Sequence, residues 1–412
     1  MTGISRRAFM RAGSLALASF GLEPLFLGRA AYARRGPAAG KTLVCLFQRG
    51  AVDGLSLIIP HGDPAYYRER PRIGIPRSDL LDLDGHFGLH PALKALLPRW
   101  ESGELAAIHA VGSPDTTRSH FDAQDFMESG TPGERATRDG WVNRYVQHHH
   151  EHQDTPFRAV AFGPALPLAL AGAAPSLAID DLKSFGLTAR GPESSYRLTR
   201  AFAELYRGSA TGLLSSSSAE AFEAIRMLRE ADPGQLAPEN GADYPRGKLG
   251  SNLKQIAQLI KAGLGMEIAF ADIGGWDTHV NQGAAAGQLA SRLDELGRAL
   301  AAFADDLGPR MRDVVVLTMS EFGRTVRENG TGGTDHGHGT AMLVLGGGIR
   351  GRRVLGRWPG LEPDLRYEGR DLAVTTDFRT LFGEVLVGHL GKTDLTAVFP
   401  GFEAGPPLGL FG

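Results

Sequence analysis

Near its carboxyl end the chain reads Ser320-Glu321-Phe322-Gly323-Arg324-Thr325 and then Thr334-Asp335-His336-Gly337-His338-Gly339. Two carboxylates and two imidazoles therefore share one Gly-rich loop region. Oxygen and nitrogen donors of this kind suit a divalent cation such as Zn, Mn, Mg or Ca. Ions held by such side chains activate water or polarise an ester oxygen. The residues predict a metal site, and a hydrolytic one.

Earlier segments repeat the motif of a buried run followed by a polar loop. The apolar residues 41–47 lead into Gln48-Arg49-Gly50-Ala51-Val52-Asp53-Gly54, and residues 105–111 lead to Ser119 and His120. Residues 266–271 precede Gly274-Gly275-Trp276-Asp277-Thr278-His279. Asp277 and His279 stand two apart, so both point to one side of an extended segment. The predicted metal ligands are Asp53, Asp277, His279, Glu321, Asp335, His336 and His338. Two ions sharing a bridging nucleophile would need about this many groups. Ser119 opens a helix, where free N–H groups face an anion, and is the candidate nucleophile. Simpler roles exist for each. Asp53 before Gly54 suits a turn, Ser119 a helix cap, and Glu321 a salt bridge to Arg324. Asp335 suits either a ligand or a partner that holds an imidazole.

These groups must be positioned by the elements between them. Strands are predicted at 41–47, 105–111, 157–162, 266–271, 314–318 and 341–345. Helices are predicted at 91–100, 119–128, 139–147, 248–263, 287–307 and 377–390. The alternation predicts an α/β fold, a doubly wound, mostly parallel sheet with helices on both faces. Such sheets bind ligands beyond the carboxyl ends of their strands. The middle changes character. Amphipathic helices are expected at 194–207 and 217–231, joined by the serine run 215–218, with a loop at 232–247. A helical cap over 190–250 is the expected insertion in a domain spanning 34–412.

The amino terminus carries Ser5-Arg6-Arg7-Ala8-Phe9-Met10, a weakly apolar stretch and Ala31-Tyr32-Ala33. That is the layout of a twin-arginine export signal cleaved near Ala33. The twin-arginine translocase is thus an expected partner, and the mature chain is expected in the periplasm or outside the cell. The 412 residues are 42% hydrophobic with formal net charge −2, so neither nucleic acid binding nor stable membrane insertion is expected. The single cysteine, Cys45, forbids an intrachain disulfide.

Taken together, the run 43–54, Arg118-Ser119-His120-Phe121-Asp122, Gly275-Trp276-Asp277-Thr278-His279, Ser320-Glu321-Phe322-Gly323-Arg324, Asp335-His336-Gly337-His338-Gly339 and Thr376-Asp377-Phe378-Arg379 resemble domain-of-unknown-function family 1501. The resemblance extends to the alkaline phosphatase and sulfatase superfamily. It implies an alkaline-phosphatase-like core and a two-metal site acting on phosphate or sulfate esters, carbohydrate esters included. Ser119 or a metal-bound water would then be the nucleophile. Asp53 matches the first-strand metal aspartate, Asp277 and His279 the Asp/His pair, and His336 or His338 the last metal histidine. Phe322 stands where the superfamily has a histidine. That substitution motivates the alternative, an exported metal-binding or carbohydrate-associated protein without turnover.

Overall fold

The computed structural model describes residues 40–149, 155–185, 213–391 and 394–412. The expected signal at 1–33 and the helix at 194–207 lie outside them. Contacts divide the chain into two units. The larger comprises Lys41–Thr137, Pro238–Lys254 and Phe270–Gly412, and the smaller includes Arg138–Ala237 and Gln255–Ala269.

In the larger unit β1 (Thr42–Gln48) is buried along its whole length, as its unbroken apolar run requires. Two short helices, α1 (Gly54–Leu57) and α2 (Pro64–Glu69), follow it. Next come three small strands, β2 (Ile58–Ile59), β3 (Leu81–Asp82) and β4 (Gly88–Leu89), which form their own antiparallel sheet. After β5 (Leu105–Gly112) the chain enters α3 (His120–Ser129). The smaller unit holds β6 (Ala159–Phe162) and β7 (Leu177–Ile179), paired in parallel. Returning to the larger unit are β8 (Ile268–Ile273), α4 (Gln288–Leu307), β9 (Val314–Met319), β10 (Thr340–Gly346), β11 (Arg353–Leu355), β12 (Thr376–Asp377) and α5 (Phe378–Gly388).

The sheet of the larger unit runs β11-β5-β10-β9-β1, with β8 beside β1 and β12 beside β5. β1 pairs in parallel with β9 from Thr42↔Val314 to Phe47↔Met319. β10 runs antiparallel to both β5 and β9. The result is an α/β protein with a mixed, mostly parallel sheet. Because β10 is reversed, its amino end lies at the edge where β5 and β9 finish. Residues 336–339 therefore enter the same edge as the loops after β1, β5 and β9. That edge is where the predicted site residues collect.

α4 shows why the long helix docks. Leu289, Leu293, Leu296, Leu300, Phe303 and Leu307 recur every three or four residues and are buried. Residues 91–100 were expected as one helix but form a 3₁₀ turn at Pro91–Leu96 followed by α-helix at Leu97–Glu101. Pro98 lacks the N–H an uninterrupted α-helix would use, so the helix restarts around it. In the smaller unit the serine run lies inside one helix, Leu213–Ala231, rather than joining two. Serine is only a moderate helix former, but it does not break a helix as Gly or Pro does. Half-buried Arg158 and buried Tyr145 both bond Glu267 there, and the Asn143 amide donates to the Leu170 and Ala174 carbonyls, both at 2.8 Å. Among the described residues no helix is long and apolar enough to cross a membrane.

Candidate metal centre

The loop leaving β1 is built around a close approach. Gly50 has φ +119°, and a Cβ there would stand 2.8 Å from the Asp277 backbone nitrogen. Only glycine lets the two loops meet. The next residue, Ala51, has φ +62°, a conformation non-glycine residues seldom adopt. The Gly50 N–H donates to Glu321 Oε1 at 2.8 Å, and the Val52 N–H to the Ser320 hydroxyl at 3.1 Å. Three loops from three strands are thereby tied together.

At their meeting point three imidazoles converge. His336 Nε2 lies 3.0 Å from His120 Nε2 and 3.0 Å from His279 Nε2. Asp277 Oδ1 is 3.0 Å from His279 Nε2 and 3.3 Å from His336 Nε2, while Oδ2 is 3.5 Å from His120 Nε2. Every one of the rings has an acceptor behind it. His120 Nδ1 faces Glu321 Oε1 at 2.8 Å, His279 Nδ1 faces Asp335 Oδ1 at 3.0 Å, and His336 Nδ1 faces the Arg118 carbonyl at 3.0 Å. Carboxylates and carbonyls only accept, so each Nδ1 carries the proton. In the neutral rings the Nε2 lone pairs of His120 and His279 then each face that of His336. A single extra proton can bridge one of the two Nε2···Nε2 contacts and leaves the other repulsive. A divalent cation satisfies both, together with Asp277. Ligands about 2.0–2.1 Å from a tetrahedral ion stand roughly 3.3 Å apart, close to the spacing among His120, Asp277 and His336, with His279 beside two of them. The donor set fits a metal.

Electrostatics agree with this arrangement. The Glu321 hydrogen bond raises the His120 pKa above the ordinary 6.5, against burial. Burial lowers that of His336. Burial acts to raise Asp277, but Arg324, whose Nη1 donates to Oδ1 at 2.6 Å, outweighs it and holds the carboxylate below its usual range. Without metal, protonated His120 paired with Glu321 adds stability below 6.5 that is lost as pH rises through the raised value. A metal requires the deprotonated ring, so its affinity has the opposite slope. We expect divalent-ion affinity to rise with pH until His120 has lost its proton, which its raised pKa delays, and binding below that point to release a proton. Calorimetry in buffers of different ionisation enthalpy reads both; a flat profile would exclude His120 as a ligand.

Several predicted ligands take other roles. Glu321 is fully buried and its Oε1 receives Gly50, His120 and Gln124. It orients His120 rather than joining the donor cluster, and Asp335 does the same for His279 while bonding Asn329. Replacing Glu321 by Gln is expected to weaken metal binding about 10–100-fold, the usual cost of disturbing a partner behind a ligand. Competition with a chromophoric chelator measures it.

Asp53 is withdrawn altogether. Arg70 grips both its oxygens at 2.7 and 2.9 Å, and Ser56 and Gln282 each donate to Oδ2 at 2.7 Å. Burial pushes its carboxyl up, but the Arg70 charge together with the hydrogen bonds from Arg70, Ser56 and Gln282 outweighs this and holds it low. His338 stacks on Tyr367 with ring centroids 4.4 Å apart, outside the cluster. Ser119 makes no side-chain cap to α3, so the simple capping role is absent. Among the described residues, one group of His and Asp donors, His120, Asp277 and His336, has ligand atoms all within 4.8 Å. No second group of this kind is found among the described residues.

Sequence reasoning noticed His120 but did not assign it as a ligand. Its ring stacks on Phe322, centroids 4.9 Å apart, at the start of helix α3. The signal was present in the spacing of His120 and Gln124, four apart and so on one face of a helix. Gln124 donates to Glu321 at 2.9 Å and accepts from Arg49 at 2.9 Å.

Fold and site together define an α/β protein with three histidines and an aspartate gathered at one edge of its sheet. The chain belongs to the family described as "Protein of unknown function (DUF1501)", matched over residues 40–393. No curated protein matches the sequence. Among solved structures it is similar to the C-terminal periplasmic domain of EcEptC from Escherichia coli in complex with Zn, at 11% identity and TM-score 0.33, covering 75% of this chain and 73% of that one. It is also similar to a phosphonate monoester hydrolase of Agrobacterium radiobacter, at 11% identity and TM-score 0.34, covering 89% and 78%. An alkaline phosphatase from the Antarctic bacterium TAB5 matches at 11% identity and TM-score 0.29, covering 75% and 92%. Likenesses this loose carry no argument about chemistry.

Proposed function

We propose that this protein is an exported, metal-dependent hydrolase of phosphate or sulfate esters. The observation that carries the reading is the meeting of the His120, His279 and His336 Nε2 atoms with Asp277, each ring held by an acceptor at Nδ1. His120, Asp277, His279 and His336 would hold one divalent cation. Bound there, the cation supplies Lewis acidity and a nucleophilic water near neutral pH. Glu321, Asp335 and the Arg118 carbonyl keep the three rings in the ligating tautomer. Buried Arg324 fixes Asp277 and adds positive charge beside it, which favours an anionic ester. Ser119, immediately before His120 and free of a capping bond, is the protein nucleophile if the reaction passes through the enzyme.

The ester class follows the resemblance of the motifs to the alkaline phosphatase and sulfatase superfamily. Export through the twin-arginine translocase, with cleavage near Ala33, would place the reaction in the periplasm or outside the cell. The test is turnover of aryl phosphate, phosphodiester and aryl sulfate substrates with Zn, Mn, Mg or Ca. Activity with at least one pairing, abolished by Asp277→Ala, is expected. Bound metal with no turnover on any substrate would reject the hydrolase in favour of a metal-binding protein.

A further inference from the structure

Arg49 lies in the turn that leaves β1, outside the donor cluster, yet its donor fork is engaged by the elements that carry the donors. Its Nη1 donates to Gln124 Oε1 at 2.9 Å, its Nη2 to Glu128 at 2.7 Å and its Nε to Asp272 at 2.8 Å. Gln124 and Glu128 stand four apart in α3, the helix that His120 opens. Asp272 belongs to β8, the strand that leads into Asp277 and His279. The Arg49 backbone N–H donates to the next carbonyl of that strand, Ile273, at 2.9 Å. The guanidinium also lies over the Phe47 ring, 4.4 Å from its centroid, and stacking of this kind fixes the plane of the fork. One side chain thus ties the helix bearing one imidazole to the strand preceding two other donors.

The sense of these bonds is fixed. A guanidinium only donates, so Gln124 must turn its carbonyl oxygen to Arg49 and its NH₂ to Glu321, 2.9 Å away. Glu321 Oε1 takes that bond together with those from the Gly50 N–H and His120 Nδ1. Every step points one way, from Arg49 through Gln124 and Glu321 to the proton on His120 Nδ1, which leaves Nε2 bare for an ion. Without Arg49 the amide can reverse and set its oxygen against the carboxylate. We infer that Arg49 is a remote positioning residue of the metal centre, which acts through Gln124 and Glu321 to keep His120 in the ligating tautomer. This rests on the metal-binding part of the proposed function. Lysine cannot replace it. A point charge keeps the attraction to Glu128 and Asp272 but lacks the fork that reaches Gln124 as well.

The test is Arg49→Lys in the full chain, alone and combined with Gln124→Leu. Zinc affinity is read by chelator competition, with circular dichroism as the folding control. The His120 tautomer is read from its ring-nitrogen chemical shifts in metal-free protein at alkaline pH, a signature that a purely structural ion pair would not move. Arg49→Lys is expected to bind zinc about tenfold more weakly, the low end for a residue behind a ligand, and to show a larger Nε2–H fraction in His120. Gln124→Leu, which leaves both Arg49 ion pairs in place, should do the same. In its background Arg49→Lys should add nothing further, since the two act in series. An unchanged tautomer and zinc affinity in either single variant, or losses that add in full, would overturn the role of Arg49 and leave the metal centre standing. Parent protein that binds no zinc would sink the centre itself, and this inference with it.

Discussion

Replacing His336 by alanine is expected to lower divalent-metal affinity by more than about a hundredfold, since disturbing even a residue behind a ligand costs ~10–100-fold. The reason is its central position. Its Nε2 stands 3.0 Å from both other imidazole nitrogens and 3.3 Å from Asp277. Removing His120 or His279 leaves His336 paired with the other imidazole; removing His336 leaves His120 and His279 linked only through Asp277. The fold should survive, because His336 is part-exposed and lies in a loop. Equilibrium dialysis against zinc, with circular dichroism as the folding control, separates the two effects. His338→Ala, one residue beyond Gly337, should leave zinc affinity nearly unchanged, since that ring packs on Tyr367. Equal losses in the two variants would contradict the assignment of His336 alone.

The second large effect concerns stability. Arg70→Met would leave the Asp53 carboxylate buried, 1% exposed, without its charge partner. Breaking a buried pair in this way costs about 3–5 kcal/mol, because the surviving charge cannot recover its hydration. Arg70 also donates to the Val326 and Thr325 carbonyls, both at 2.9 Å, so the substitution loosens the segment after Arg324. Asp53→Asn is the informative companion. It keeps a polar group against Arg70 and should be milder, and because Asp53 is not in the donor cluster the zinc stoichiometry should be retained. Loss of zinc from folded Asp53→Asn protein would restore Asp53 as a ligand. Urea denaturation, with metal analysis of the folded fraction, decides both points.

The long buried runs were readable because nothing but a core strand explains them. Residues 41–47, 105–111 and 314–318 correspond to Thr42–Gln48, Leu105–Gly112 and Val314–Met319. Two- and three-residue strands such as Ile58–Ile59 and Arg353–Leu355 carry no period and exist only through their partners. The site was legible as a set of residue types, less so as roles. Asp277, His279 and His336 do meet. Whether a carboxylate ligates or supports depends on what else it touches, and that is tertiary information. Glu321 and Asp335 are claimed by imidazole N–H groups, and Asp53 by an arginine 17 residues away. Nothing in the spacing of Asp53 and Arg70 announced that pairing. His120 was hidden for the opposite reason, since a histidine opening a helix next to a serine draws attention to the serine.

The central claim is a place, and diffraction can find it. Crystals grown from protein loaded with zinc should show one strong anomalous peak at the zinc edge among the Nε2 atoms of His120, His279 and His336 and the Asp277 carboxylate. A peak at Asp53, at His338 or on a surface histidine instead, or none after saturation with zinc, would contradict it.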